Sequence, residues 1–480
     1  MGTRKQFLSS LGLLLLLNLM IKPLYVLCIE TGVQNVVGPE VFGIYSAILS
    51  VTFLLNIFLD AGITNFNTRN IAQHQQLLQK HFSGIISLRL FLGVIYFIAL
   101  FIAGYFLQYV QSHLFIFILL GINQFLVSGI LYLRSNLAGL MLFKRDALVS
   151  TLDRFILLIS MGTLLLFPGY FGEFKIEWLV IGQTYAYGIA FLVAFAMVSH
   201  RMEKTSFQWN LPFAKMILKK SLPFALLILL SMAYYKTDAV MLEQLLDNGD
   251  FHAGIYAMGF RFFEASNMIG FLFAGLLLPL FSRLFKEESS IESIAQSAFQ
   301  LLFTGGFVLA LFCLLIGENL LDLFYTQHVD LAVMPFKLLM CAFFFVMLTY
   351  LFGTILTAKG ELKWLNKMAL LGVVLNVGLN YFLIQSHQAV GSALASLITQ
   401  GLVAIIQIIL VMKVTGIRFQ SSTIRSLLLF TSMCGGVFYF FTIIELNWLL
   451  EGGLFLFSCA GFALLSKFVH LGQFKELFQS

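Results

Sequence analysis

Lys236 and Asp238 stand two positions apart inside the apolar run SLPFALLILLSMAYYKTDAVMLEQLL, residues 221–246. At the helical rise, Lys236 lies roughly 22 Å from the start of that run. A charge at such depth in a bilayer costs about 2.5–3.5 kcal/mol on insertion scales, so it should face protein or water and marks a substrate or ion path. Lys22 sits at similar depth in the first apolar run, and Arg261 and Glu264 stand inside the run after Asp238. Polar neighbours share helical faces with these charges: Asn18 and Tyr25 with Lys22, Tyr234 and Tyr235 with Asp238. Lys22, Lys236 and Arg261, with Asn18, Tyr25, Tyr234 and Tyr235, form a candidate substrate site. Asp238, Glu264 and Asp60 are candidates for carrying a coupling ion.

Each residue has a plainer reading beside that one. Lys236 could snorkel to the interface as a helix-end anchor. Lys22-Pro23 could be only a kink. Asp60, which shares a face with Thr52 and Asn56, could cap its helix or pair with Arg69. Arg89 and Arg154 fall only six or seven residues inside their helices, which favours snorkelling for both. Asn376 and Asn380 read best as glue between helices. Asp238 and Arg261 resist the plainer reading most, since neither reaches water easily outside a cavity.

The elements that must position these groups are membrane helices. Of 480 residues, 60% are hydrophobic and 11% charged, more apolar surface than one soluble core can bury. Many stretches exceed the roughly 18 residues that suggest a bilayer-spanning helix, and none shows the alternation of a β-barrel. The expected fold is all-α, a polytopic membrane protein. The candidate spans lie near 7–29, 41–63, 82–107, 114–133, 148–168, 176–198, 221–246, 253–281, 298–317, 334–357, 366–385, 389–412, 424–444 and 448–469. These are fourteen spans, or twelve crossings if one pair is re-entrant. The N-terminal run is too long for a secretory signal and lacks a small-residue cleavage site, so it reads as the first span.

Loop charge sets the orientation. Of the 29 Lys and Arg, 23 fall on the side of the N-terminus, Lys175 and Lys337 on the other, and four inside spans. The positive-inside rule then makes both termini cytoplasmic. No loop is long enough for a folded enzyme domain. The stretch RMEKTSFQWNLPFAKMILKK, 201–220, reads either as an amphipathic helix on the cytoplasmic leaflet or as a solvated linker. The five cysteines form no C-x-x-C pair and the histidines lack ligand spacing, so no metal or cofactor is expected.

A short repeat divides the chain. Gly43-Ile44-Tyr45 and Gly254-Ile255-Tyr256 each open the second helix of a six-helix set, on the same side of the membrane. Parallel halves imply a pseudo-two-fold axis along the membrane normal, with a site between them. The expected organisation is a six-helix bundle over 1–200, the linker 201–220, a second bundle over 221–415, and an extra helix pair over 416–480.

The stretches GPEVFGIYSAILSVTFLLNIFLDAGITNFNTRNIA (38–72), YYKTDAVMLEQL with GIYAMGFRFFEA (234–265), and LGVVLNVGLNYFLIQSHQAVGSALASLITQ (371–400) resemble the multidrug/oligosaccharidyl-lipid/polysaccharide (MOP) exporter superfamily. More narrowly, they resemble its polysaccharide-biosynthesis branch, the Wzx-type O-antigen flippases. The resemblance covers nearly the whole chain, and the six-plus-six architecture with an extra C-terminal pair carries most of it. It implies a flippase, not an enzyme, in the bacterial cytoplasmic membrane. The implied substrate is undecaprenyl diphosphate carrying an oligosaccharide, moved outward by alternating access coupled to H+ or Na+. The first, second, seventh and eighth spans would line the cavity, and Asp238 stands where many relatives carry an acid. Implied partners are membrane lipids and the polysaccharide polymerase and chain-length machinery. A diphosphate suits cations that become stronger donors when partly desolvated. The alternative on the same fold is a drug or cation antiporter, whose cavity should hold acids and few cations. A membrane glycosyltransferase or polymerase would need a large outer loop or an aspartate-rich site, and neither is present.

Overall fold

In lipid a spanning segment must satisfy its own backbone, and helices do so within one run of chain. The computed structural model describes residues 17–18, 20–73, 76–140, 142–200, 210–417, 420–444, 446–466 and 468–469, and these form helices joined by short turns. Among them, twelve helices are long and apolar enough to cross a membrane. Two are too long to cross only once. Met20–Asp60 has 41 residues and Leu362–Thr415 has 54, roughly 60 and 80 Å if straight, against a hydrocarbon core of about 30 Å.

Each of these two runs contains a break. Gly38 takes φ 84° and ψ 164° in the first, a region open to glycine. The side chain of Gln183 reaches both Tyr25 and Tyr45, with Nε2 3.4 Å and 2.8 Å from their hydroxyls, so the chain has turned back between them. Gln388 breaks the second run at φ 47° and ψ −127°. Beyond it, Ser392 Oγ donates to Asn380 Oδ1 at 2.8 Å, closing a helical hairpin. Splitting both runs gives fourteen spans: α1 (20–37), α2 (39–54), α3 (Leu77–Phe106), α4 (Leu114–Gly139), α5 (Phe143–Leu166), α6 (Ile176–Ser199), α7 (Leu211–Leu245), α8 (Gly249–Lys286), α9 (Glu292–Phe324), α10 (Val329–Lys359), α11 (362–387), α12 (389–415), α13 (Ser421–Ile443) and α14 (Trp448–Leu465).

Within the 201–220 stretch, 201–209 lie outside the described residues. The remainder is the start of α7. Asn210 caps it, its Oδ1 accepting from Phe213 N at 3.0 Å. Ala214, Ile217 and Ser221 are buried at helical spacing, and Ala214 and Ile217 join a core with Ile63, Ile71 and Leu78, while Lys215, Lys219 and Lys220 stay exposed. The amphipathic face therefore packs on protein. By contact the molecule forms two compact units, Met1–Ala257 and Met258–Ser480. In the first unit α7 packs along α2.

Where α2 meets the start of α8, two glycines bring the backbones together. A Cβ on Gly43 would stand 1.8 Å from the Asp250 carbonyl oxygen, and one on Gly254 would stand 1.9 Å from that of Pro39. The contact is reciprocal: each glycine meets the carbonyl four residues before the other. Gln34 Nε2 adds a 2.8 Å bond to the Gly254 carbonyl. Lipid supplies no hydrophobic force between helices, so such close small-residue contacts carry much of the association. At the far end of α7, Tyr109 of the α3–α4 connection donates to Glu243 at 2.7 Å. Burial first, and then the Glu243 carboxylate, push the Tyr109 phenol well up from its ordinary range.

The second unit holds an aromatic core. Phe303 of α9 meets Phe344 of α10 edge-on at 5.1 Å, and Phe430 of α13 stacks on Phe468 at 5.5 Å. Gly259 allows α8 to meet α10 closely, since a Cβ there would stand 2.8 Å from the Phe336 Cα.

Candidate functional site

The first unit carries a cluster of charged side chains on α1, α4 and α5. Asn18 Nδ2 donates to Ser150 Oγ at 2.9 Å, tying α1 to α5. Further along the same two helices, the Arg154 guanidinium lies 4.6 Å from the centre of the Tyr25 ring. Residue numbers rise together at the two ties, so α1 and α5 run parallel. Arg154 also faces Tyr187 of α6 at 5.7 Å. Tyr25 is fully buried and Tyr187 nearly so. Arg134 of α4 donates through Nε to Asp146 Oδ1 at 2.6 Å. Asp153 Oδ2 lies 3.8 Å from Arg154 Nε, while its Oδ1 is buried without a hydrogen-bond partner. Lys22 stands in this group, half-buried, and the charges acting on it are Arg134, Asp153, Arg154 and Asp146. Asn18, Lys22 and Tyr25 thus come together as their spacing predicts. Arg134, Asp146, Asp153, Tyr187 and Gln183 join them from helices that sequence reasoning passed over.

Arg154 does not snorkel. Two tyrosine faces hold it, an arrangement worth more when desolvated than in water. Arg89 does not snorkel either, and only 8% of it is exposed. Its Nη1 donates to Asp60 Oδ1 at 2.8 Å and its Nη2 to the Ser128 carbonyl at 2.7 Å. Asp60 also accepts from Thr64 N at 3.2 Å, so it both caps the helix Ile63–Gln73 and pairs with Arg89. The side chain of Arg69 lies outside the described side chains. Asp60 is thus held by a helix start and a cation together, as Glu264 is held by Arg261.

On α7, Tyr234 and Tyr235 set their rings 4.9 Å apart, and Tyr234 is buried. Lys236 Nζ lies 5.1 Å from the centre of the Phe53 ring of α2. The ammonium therefore faces protein, where its aliphatic stem and charge both find contact. Asp238 is 1% exposed, and its Oδ2 accepts from the Tyr256 hydroxyl at 2.6 Å. Tyr256 belongs to the Gly-Ile-Tyr of α8, so the repeat that packs α8 on α2 also delivers a donor to Asp238. Its counterpart Tyr45 meets Gln183 instead.

In the second unit Arg261 is 3% exposed, and its Nη1 donates to Glu264 Oε2 at 2.7 Å, one turn along α8. Glu264 therefore holds a cation and is itself partly exposed. Asn376 and Asn380 are fully buried on α11. Asn380 donates to the Asn376 carbonyl at 3.0 Å within its own helix and accepts from Ser392 of α12 at 2.8 Å, so Asn380 alone of the two ties one helix to another, while the Asn376 side chain has no hydrogen-bond partner among the described residues.

Among the described residues no group of three His, Cys, Asp or Glu could hold a metal ion. What the side chains offer is mixed charge at membrane depth: cations suited to an anion and carboxylates suited to a proton or a small cation.

Solved structures share this fold. One described as lipid II flippase MurJ in an inward closed conformation matches with TM-score 0.70 at 14% identity, over 99% of this chain and all of its own. One described as an inward-facing multidrug resistance MATE family transporter of the MOP superfamily matches with TM-score 0.63 at 14% identity, over 84% of this chain and 99% of its own. The fold is the one that these two membrane-protein structures share. A family model described as polysaccharide biosynthesis protein matches residues 8–285, and the chain belongs to that family. A curated relative, the uncharacterized membrane protein MJ1375 of Methanocaldococcus jannaschii, is 25% identical over 400 residues, covering 78% of this chain and 91% of its own length.

Proposed function

We propose that this protein moves undecaprenyl-diphosphate-linked oligosaccharide from the cytoplasmic to the outer leaflet of the bacterial cytoplasmic membrane, with both termini cytoplasmic. In this reading α1–α6 and α7–α12 act as two six-helix bundles that alternate access to a cavity, with α13 and α14 as an extra pair. Lys22, Lys236 and Arg261, with Asn18, Tyr25, Tyr234 and Tyr235 around them, receive the diphosphate head group. Asp238 and Glu264 are the acids available to a coupling H+ or Na+. The observation that carries the reading is cationic: Lys22 and Arg261 sit inside membrane spans, and burying cations there is expensive unless a function retains them. An anionic head group repays that cost through charge-assisted hydrogen bonds. A glycan needs only a wet path, and the lipid tail can stay in the bilayer.

The test is export of surface polysaccharide in a strain lacking its own flippase. Arg261→Ala, Lys22→Ala and Asp238→Ala should each reduce export at normal protein level. Wild-type export from all three removes the charges from the mechanism.

A further inference from the structure

Three helices of the first unit meet at Arg154 of α5. Its guanidinium carbon lies 4.6 Å from the centre of the Tyr25 ring of α1 and 5.7 Å from that of the Tyr187 ring of α6. Gln183, one turn before Tyr187, sets its Nε2 3.4 Å from the Tyr25 hydroxyl and 2.8 Å from that of Tyr45, so the nearer ring is itself held in place. An aromatic face attracts a guanidinium through its charge, and stacking on it leaves the fork of N–H donors able to reach an acceptor. Asp153 Oδ2 stands 3.8 Å from Arg154 Nε, a favourable charge contact beyond hydrogen-bond range.

The Arg154 side chain is 27% exposed, and its helix shows on which side. Ala147, Ser150, Leu157 and Met161 lie three, four or seven residues from Arg154, on its own face of α5, and all are buried. The lipid-facing side of α5 carries the exposed Leu148, Phe155 and Ile159. Arg154 therefore opens toward the protein interior, away from lipid. Lys22 does the same on α1, where it shares a face with Asn18 and buried Tyr25 and lies on the far side from exposed Met20, Leu24 and Cys28. The Asn18–Ser150 bond of 2.9 Å keeps the two helices alongside each other. Tyr25 then links the cations: it follows Lys22 by one turn, and its ring carries Arg154. Arg134 of the same cluster is committed to Asp146 at 2.6 Å.

We propose that Arg154 is the second cation of the head-group site and gives that site its preference for a diphosphate over a single phosphate. Lys22 holds one phosphate as a point charge on a flexible stem. The Arg154 guanidinium, steadied by Tyr25 and Tyr187, pairs with the other through two parallel N–H···O bonds. A diphosphate places one phosphate on each cation. A single phosphate satisfies one of them fully and leaves the other without a partner, which makes undecaprenyl phosphate the ligand that this site disfavours.

Arg154 takes this role only if Lys22 receives the head group, and the experiment separates the two. The full chain in lipid nanodiscs is titrated at one fixed pH with undecaprenyl diphosphate and, separately, with undecaprenyl phosphate, for wild type, Lys22→Ala, Arg154→Gln and Arg154→Lys. Wild type should bind the diphosphate roughly tenfold or more tightly than the monophosphate, the worth of one charge-assisted contact. Arg154→Gln should lose that preference, with diphosphate binding weakened roughly tenfold and monophosphate binding far less. Arg154→Lys keeps the charge without the fork and should recover only part of the preference. Misfolding weakens both ligands alike, so the ratio within each variant reports the site itself. Should Arg154→Gln fail to fold, Arg154→Lys, which keeps a cation beside the two rings, carries the test. If Lys22→Ala binds the diphosphate as wild type does, the head-group assignment fails. If Lys22→Ala is weak but the Arg154 variants keep the wild-type ratio, that assignment stands and the role of Arg154 is refuted.

Discussion

Adding one methyl group at Gly43 or Gly254 tests the reciprocal contact that joins α2 to α8. The new Cβ would lie 1.8 Å from the Asp250 oxygen in one case and 1.9 Å from the Pro39 oxygen in the other. Ordinary contact begins near 3.4 Å, so the helices must part by about 1.5 Å, because the obstacle is backbone and has no rotamer to change. Overpacking of this kind costs about 1–3 kcal/mol. Parting also stretches the Gln34 bond to Gly254 and the Tyr256 bond to Asp238. Gly435 of α13 is the control, since a Cβ there meets nothing within 4 Å. Alanine at that site should leave stability unchanged or raise it by up to about 1 kcal/mol through helix propensity. The assay is equilibrium unfolding of purified protein in mixed micelles. Gly43→Ala and Gly254→Ala should each lose about 1–3 kcal/mol, and the double variant less than the sum, because both act at one crossing. If both singles unfold like Gly435→Ala, α2 and α8 do not meet as described.

Three further outcomes follow from single contacts. Arg89→Ala removes the buried partner of the Asp60 carboxylate, whose side chain is 16% exposed, and should cost about 3–5 kcal/mol in the same unfolding assay, with Asp60→Asn added in the double variant recovering part of it. Gln388→Gly relieves a left-handed backbone at the α11–α12 turn and should stabilise by about 1 kcal/mol; a loss of stability would show the Gln388 side chain to matter more than its φ. Tyr256→Phe removes the 2.6 Å donor to buried Asp238 and should cost about 1.5–3 kcal/mol, while Tyr256→Trp tests bulk at the same site and should cost more.

Much of the fold is legible in the sequence because lipid permits few backbones. Long apolar runs must be helices, and fourteen of them are recovered once the runs at Met20–Asp60 and Leu362–Thr415 are split at Gly38 and Gln388. The Gly-Ile-Tyr repeat was readable as a pattern, but its purpose was not. That two tripeptides far apart in sequence pack on each other's preceding carbonyls is a matter of three dimensions. The candidate charges were legible by depth alone, because a Lys or Asp far inside an apolar run is costly wherever it points. Their partners were not. Arg89 and Arg154 looked like snorkelling residues because sequence counts distance from a helix end, and it cannot see Asp60 or the face of Tyr25 waiting beside them.

The central claim is that buried cations hold an anionic lipid-linked head group while it crosses the membrane. Its most direct measurement is outward movement of undecaprenyl-diphosphate oligosaccharide in proteoliposomes holding wild-type protein, Lys22→Ala or Arg261→Ala. Wild-type protein should speed the movement above that of empty vesicles, and each variant should lower it at least tenfold, the factor that about 1.4 kcal/mol of lost head-group binding supplies. Movement by both variants at the wild-type rate would contradict the account.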